Sequence, residues 1–164
     1  MSKVQAGTLA PSFALPSTNG NQCSLTDALK KGPVLAAFFK VSCPVCQFTF
    51  PFLQRLYENY GDSRVTFWGI SQDDASDTLE YAKEFGVKFP SLIDGEGYPA
   101  SNQYGLTNVP SVFLIAPDGK VLATSIGFDK AALEKMATEI ASASGKPLKP
   151  LFRPGEVVPD FKPG

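Results

Sequence analysis

The sequence predicts an α/β fold, and three observations carry that prediction. Val34-Leu35-Ala36-Ala37-Phe38-Phe39 and Val65-Thr66-Phe67-Trp68-Gly69-Ile70-Ser71 are short, continuous apolar runs, which read as buried strands rather than as amphipathic helices. Between them Val45, Phe48, Phe52, Leu53, Leu56, Tyr57 and Tyr60 keep helical spacing until Gly61, so the three segments form a β-α-β unit with parallel strands and a right-handed crossover. Farther on, Pro110 to Ala116 and Val121 to Ser125 flank the turn Pro117-Asp118-Gly119-Lys120, the pattern of an antiparallel hairpin.

The remaining elements follow in chain order. Ser17-Thr18-Asn19-Gly20-Asn21 is a turn cluster, and Gln22-Cys23-Ser24-Leu25 is the return strand of a small hairpin. Ser24 or Thr26 caps a short helix reaching Leu29, and Leu29-Lys30-Lys31-Gly32-Pro33 leads into the central strand. After the second strand, Gln72 to Asp77 offers helix N-caps for a segment running to Phe85, with Leu79, Ala82 and Phe85 expected inward and Gly86 as the stop. Phe89 to Asp94 and a short helix from Pro99 to Tyr104 come next. The last helix starts near Asp129 and lines up Leu133, Met136, Ala137, Ile140 and Ala141 on one face.

Chemistry is concentrated at the junction of the first buried strand and its helix, Lys40-Val41-Ser42-Cys43-Pro44-Val45-Cys46. Cys43 falls at the helix N-terminus, and Pro44 takes the first helical position, where its missing N–H costs nothing. Free backbone N–H groups and the positive end of the macrodipole favour negative charge on a group placed there. Cys46 lies one turn deeper on the same face. Cys43 is therefore the expected exposed nucleophile, and Cys46 the buried thiol that resolves the mixed disulfide. Lys40, three residues before Cys43, either favours the thiolate or is simply solvated.

Composition excludes several alternatives. At 164 residues the chain is most economically one domain with a single good core. Its 15 basic and 16 acidic residues, with no basic run, suggest neither nucleic acid nor an anionic membrane as partner. No apolar stretch approaches the roughly 18 residues of a transmembrane helix, and MSKVQAGTLAPSF has no signal-peptide core, so the expected location is the cytoplasm. In that reducing compartment a Cys-x-x-Cys pair is more often catalytic or metal-binding than a structural disulfide. Three cysteines without a histidine supply a zinc site poorly, and Cys-His catalysis is excluded. No metal is expected, and no organic cofactor is implied, because the electrons of a dithiol reside on its two sulfurs.

The motif and its surroundings resemble the thioredoxin-like superfamily. Besides strand, Cys-x-x-Cys and helix, the resemblance rests on Pro51, five residues after Cys46, and on Val109-Pro110-Ser111-Val112-Phe113-Leu114-Ile115. The opening Ala10-Pro11-Ser12-Phe13-Ala14-Leu15 is similar to the start of the redoxin branch, which holds the peroxiredoxins and the TlpA-like thiol-disulfide oxidoreductases. Over residues 7–143 the resemblance implies a three-layer α/β/α sandwich with a central mixed sheet, an N-terminal hairpin extension and a helix-containing insertion. It also implies that Pro110 is the cis-proline facing the cysteine pair, and that Pro110 and Val109, with Pro44 and Lys40, orient the substrate.

Departures from the family patterns narrow the function. Peroxiredoxins carry a hydroxyl residue three positions before the reactive cysteine, where this chain has Lys40, so thiol peroxidase is the weaker enzyme reading. Ser42 stands where thioredoxins usually have tryptophan, Ala37 where they bury an aspartate, and Thr49 where some TlpA-like proteins place a glutamate. The usual proton acceptors for the buried thiol are thus missing. The expected function is exchange of a Cys43-Cys46 dithiol with a protein or small-molecule disulfide, recharged by a thiol electron donor. A non-catalytic redox-sensing module is the alternative from another class.

Other residues read more simply. Cys23 lacks a Cys-x-x-Cys partner and is expected as a small buried hydrophobe. Trp68 is core, and among Phe48, Phe50 and Phe52 only Phe50 falls off the main stripe, where it would line a substrate surface. The domain of residues 1–143 is followed by a Pro/Gly-rich arm, 144–164, which cannot build its own core. Gly155 to Phe161 repeats the G-x-x-x-P-x-F pattern of Gly7 to Phe13, and Leu151, Phe152 and Phe161 are expected to pack back on the domain.

Overall fold

The β-α-β pattern and the late hairpin build one mixed sheet in the computed structural model, which describes residues 4–62 and 64–164. Met1 to Lys3 and Ser63, part of the predicted first domain, lie outside the described residues. The chain begins with a hairpin, β1 (Ala14–Pro16) paired antiparallel with β2 (Gln22–Ser24), followed by α1 (Leu25–Leu29). The Ser24 side chain accepts from Asp27 N–H and so caps α1, as expected. Next come β3 (Val34–Phe39), α2 (Pro44–Tyr60), β4 (Thr66–Ser71), α3 (Ala75–Phe85), β5 (Ser91–Ile93) and α4 (Pro99–Gln103). The chain closes with β6 (Ser111–Ile115), β7 (Val121–Ile126), β8 (Phe128–Asp129), α5 (Lys130–Ser144) and β9 (Phe161–Lys162).

The five-stranded sheet has the order β5-β4-β3-β6-β7, with β3, β4 and β5 parallel and β6 and β7 antiparallel to their neighbours. Central β3 explains the continuous apolar run, because every one of its residues is buried. Leu35, Ala37 and Phe39 enter the core beneath α2, α3 and α5, while Val34, Ala36 and Phe38 enter a second core under the hairpin, α1 and α4. Trp68 and Phe13 belong to that second core, in edge-to-face contact at 5.9 Å. The predicted three layers follow. Among the described residues no helix is long and apolar enough to cross a membrane.

Two side chains on the helices differ from expectation. Leu79 is 53% exposed, because the inward stripe of α3 is Thr78, Tyr81, Ala82 and Phe85 and not one built on Leu79. Tyr81 fills that space against Phe39 at 4.9 Å and Phe85 at 4.8 Å. Phe50, expected at a substrate surface, has no exposure and packs on Phe39 at 4.4 Å and Phe89 at 5.9 Å. Helix α2 touches the sheet, α3 and α5, so its buried face is wider than a single apolar stripe.

The segment after α5 returns along the domain. Leu151 is buried, Phe152 stacks near Phe52 at 5.1 Å, and Arg55 holds Glu156 through two hydrogen bonds of 2.7 Å. Phe161 departs from the expected packing: its side chain is 55% exposed, and the attachment there is through the backbone, where β9 pairs antiparallel with β8.

Candidate active site

The end of β3 delivers the chain to a short turn, Lys40 to Ser42, that is fixed from two sides. Asp73, on the loop after β4, accepts the Val41 N–H through Oδ2 at 2.8 Å, and Gln47 Nε2 donates to the Val41 carbonyl at 2.9 Å. The Lys40 carbonyl accepts the Cys43 N–H at 3.2 Å, which closes the turn. Cys43 is then the N-cap of α2 in an extended conformation, Pro44 opens the helix, and the Cys43 carbonyl accepts the Gln47 N–H at 3.0 Å.

Cys43 Sγ sits between two backbone groups. It accepts the Cys46 N–H at 3.1 Å and donates its thiol hydrogen to the Val109 carbonyl at 3.5 Å. An N–H aimed at a sulfur stabilises negative charge on that atom. Val109 is joined to Pro110 by a cis peptide bond. The turn is held by Ser111 Oγ donating to the Asn108 carbonyl at 2.8 Å and by Gly127 N–H donating to the Pro110 carbonyl at 2.8 Å.

The two sulfurs differ sharply in environment. Both cysteines are free thiols, Cys43 half-exposed and Cys46 with no exposure. Burial, and next the hydrogen bond with Cys43, push the Cys46 thiol far above the ordinary cysteine range, while a backbone hydrogen bond at Lys40 opposes them. The Cys46 thiol is therefore held in its neutral form, and Cys43 is the more accessible of the two sulfurs. Tyr81 also belongs to the core around Cys46, and its buried hydroxyl has no hydrogen-bond partner among the described residues.

The structure brings together Cys43, Cys46, Pro44, Val109 and Pro110 as predicted members of one site. It leaves the Lys40 side chain exposed, so that residue contributes here through its backbone. Cys23 lies on β2 in the second core, half-buried, with its thiol donating to the Asn21 carbonyl at 3.7 Å. Among the described residues no group of three or more His, Cys, Asp or Glu is arranged to hold a metal.

Three positioning residues escaped the sequence reading: Asp73, Gln47 and Gly127. Asp73 reads as one of several N-cap candidates, and nothing local signals its bond to a residue 32 positions earlier. Gln47 shares the Val41 turn from the first turn of α2, where a polar residue on a helix carries no distinguishing pattern. Gly127 is a glycine at positive φ, which marks a turn but not what the turn supports.

Residues 6–124 match the AhpC/TSA family. The chain belongs to that family. Among its relatives, the thiol-disulfide oxidoreductase ResA of Bacillus thuringiensis is 32% identical over 126 residues, which is 76% of this chain and 72% of that protein. A crystal structure from Chlorobium tepidum, described as a candidate thiol:disulfide interchange protein DsbE, superposes with a TM-score of 0.75 at 27% identity, covering 87% of this chain and all of that one. A thiol-disulfide oxidoreductase from Bacteroides fragilis gives a TM-score of 0.71 at 25% identity over 81% of this chain and 99% of its own. The thioredoxin-like fold and the redoxin branch expected from the motif are both met by these matches.

Proposed function

We propose that this oxidoreductase exchanges disulfides through Cys43 and Cys46 in two displacements. The chain is a thiol-disulfide oxidoreductase like its relatives, and the contrast between its two sulfurs assigns the roles. In the first step the Cys43 thiolate attacks one sulfur of a substrate disulfide. That S–S bond breaks, the far sulfur leaves as a thiolate, and a mixed disulfide joins Cys43 to the near sulfur. In the second step Cys46 attacks Cys43 Sγ, the mixed disulfide breaks, and the Cys46 proton passes to the departing substrate sulfur. Two electrons move from the dithiol to the substrate, leaving Cys43-Cys46 oxidised until a thiol donor runs the sequence in reverse.

The observation that carries this reading is the position of Cys43 Sγ, half-exposed at the N-terminus of α2 between the Cys46 N–H and the Val109 carbonyl, with Cys46 wholly buried behind it. Neutral thiols react slowly, so burial keeps Cys46 from competing for substrate, and proximity makes it fast once the mixed disulfide has formed. A thiol peroxidase reading is less well supported: position 40, where a peroxide-binding hydroxyl would stand, holds an exposed lysine.

Replacement of each cysteine by serine tests the assignment. Cys43→Ser is expected to abolish reduction of a model disulfide, and Cys46→Ser to accumulate the mixed disulfide, seen as a mass adduct on Cys43. Persistence of disulfide reduction in Cys43→Ser would show that another thiol is the nucleophile.

A further inference from the structure

The arm after α5 reaches the Val109–Pro110 turn, whose Val109 carbonyl receives the Cys43 thiol. Its first half is anchored far from the site: Lys149 N–H donates to the Tyr60 hydroxyl at 2.7 Å, Leu151 is buried, and Glu156 is clamped by Arg55. Its second half runs toward the reactive sulfur. The Asp160 carbonyl accepts the Lys130 N–H at 3.0 Å, β9 pairs with β8, and Lys162 Nζ lies 5.0 Å over the ring of Phe48 on α2.

Beyond Lys162 the backbone approaches the Val109–Pro110 turn so closely that side chains are excluded. A Cβ on Gly164 would run into the Val109 carbonyl oxygen and lie 2.6 Å from Asn108 Nδ2. On the other wall, a Cβ on Gly127 would run into the Lys162 carbonyl and lie 2.9 Å from Gly164 N. The Val109 carbonyl so covered is the same one that receives the Cys43 thiol. The tail thus lies in the groove between Phe48, Gly127 and Val109, and the Val109 carbonyl on one wall receives the Cys43 thiol.

A substrate sulfur must come within about 3–3.5 Å of Cys43 Sγ to react. Polypeptide flanking that sulfur has to cross this same groove, where the backbone of an extended strand already lies. We propose that residues Phe161–Gly164 occupy in cis the path by which an extended polypeptide substrate approaches Cys43, and act there as a displaceable competitor. This inference rests on the proposed dithiol exchange and adds its substrate class: protein disulfides must displace the tail, whereas small disulfides reach half-exposed Cys43 past it. Occupancy in cis lowers the fraction of molecules competent for a protein substrate, and weakens its apparent binding by that fraction without altering the chemical step.

The test uses the full chain, pre-reduced, and follows single-turnover oxidation of the dithiol by insulin or by glutathione disulfide, with alkylation and intact mass as readout. Gly164→Leu cannot keep its place beside Val109, and Lys162→Glu removes the cation over Phe48. In both variants the half-saturating insulin concentration is expected to fall, on the order of 3- to 10-fold for Gly164→Leu, with an unchanged limiting rate and unchanged reaction with glutathione disulfide. Adding a synthetic peptide of residues 155–164 to Gly164→Leu should restore the wild-type insulin dependence. If glutathione disulfide oxidises the dithiol but neither variant shifts the insulin dependence, the tail does not compete and the proposal is overturned alone. If neither substrate oxidises the wild-type dithiol, dithiol exchange itself fails, and this proposal with it.

Discussion

Asp73→Ala probes how the turn before Cys43 is held. The wild-type carboxylate accepts the Val41 N–H at 2.8 Å, and Val41 is half-buried with its carbonyl already taken by Gln47. Alanine leaves that N–H without its partner, and partial access of water limits the cost to about 1–2 kcal/mol. For a chain of this size that is a fall in Tm of roughly 2–8 °C. The same energy bears on chemistry, because Lys40 to Ser42 sets the position of Cys43 Sγ against the Val109 carbonyl. If the well-placed turn is favoured by 1–2 kcal/mol less, the rate of mixed-disulfide formation drops about 5- to 30-fold. Asp73→Asn keeps an oxygen acceptor at the same place and should retain most of both quantities. The assay is single-turnover oxidation of the reduced protein by glutathione disulfide, beside thermal unfolding of all three proteins. A wild-type oxidation rate in Asp73→Ala, with or without a lower Tm, would refute the positioning argument.

Two further predictions follow from burial and charge. Phe50→Ala should cost about 3–5 kcal/mol and lower Tm by roughly 6–20 °C, because its ring is enclosed by Phe39, Tyr81 and Phe89; preserved stability with weakened substrate binding would instead restore the surface role read from the sequence. Glu156 is held down to about 2, first by its hydrogen bonds from Arg55 and then by the Arg153 N–H, against an ordinary value of 4.5. A depressed carboxylate stabilises the docked arm above its ordinary value, and that contribution is lost as pH falls from about 4.5 through about 2. Hydrogen-exchange protection of residues 150–158, corrected for intrinsic rates, should decline across that window and be weak at all pH in Arg55→Met; constant protection from pH 5 to pH 2 would count against the anchor.

Much of the site was legible because its signals are local. Six consecutive apolar residues, a Cys-x-x-Cys pair, a proline at the first helical position and a helical stripe ending at glycine are all set by neighbours within a turn or a strand. They determine the buried strand, the helix and the placing of Cys43 ahead of Cys46 without reference to the rest of the chain. Pro110, 64 residues beyond Cys46, was found only because the resemblance assigns it a partner.

What the tertiary structure decided is non-local. Periodicity shows that α2 and α3 have buried faces but not how wide each is, since width depends on how many neighbours pack there; hence Phe50 is enclosed, and Tyr81 displaces Leu79 from the core. The bond from Val41 to Asp73, the wall that Gly127 makes, and the return of Phe161–Gly164 to Val109 join residues far apart in sequence, through backbone groups that every residue possesses. A sequence therefore determines where a thiol meets a helix end, because helix ends and apolar runs are local, while what surrounds that thiol is decided only when distant backbone segments meet beside it.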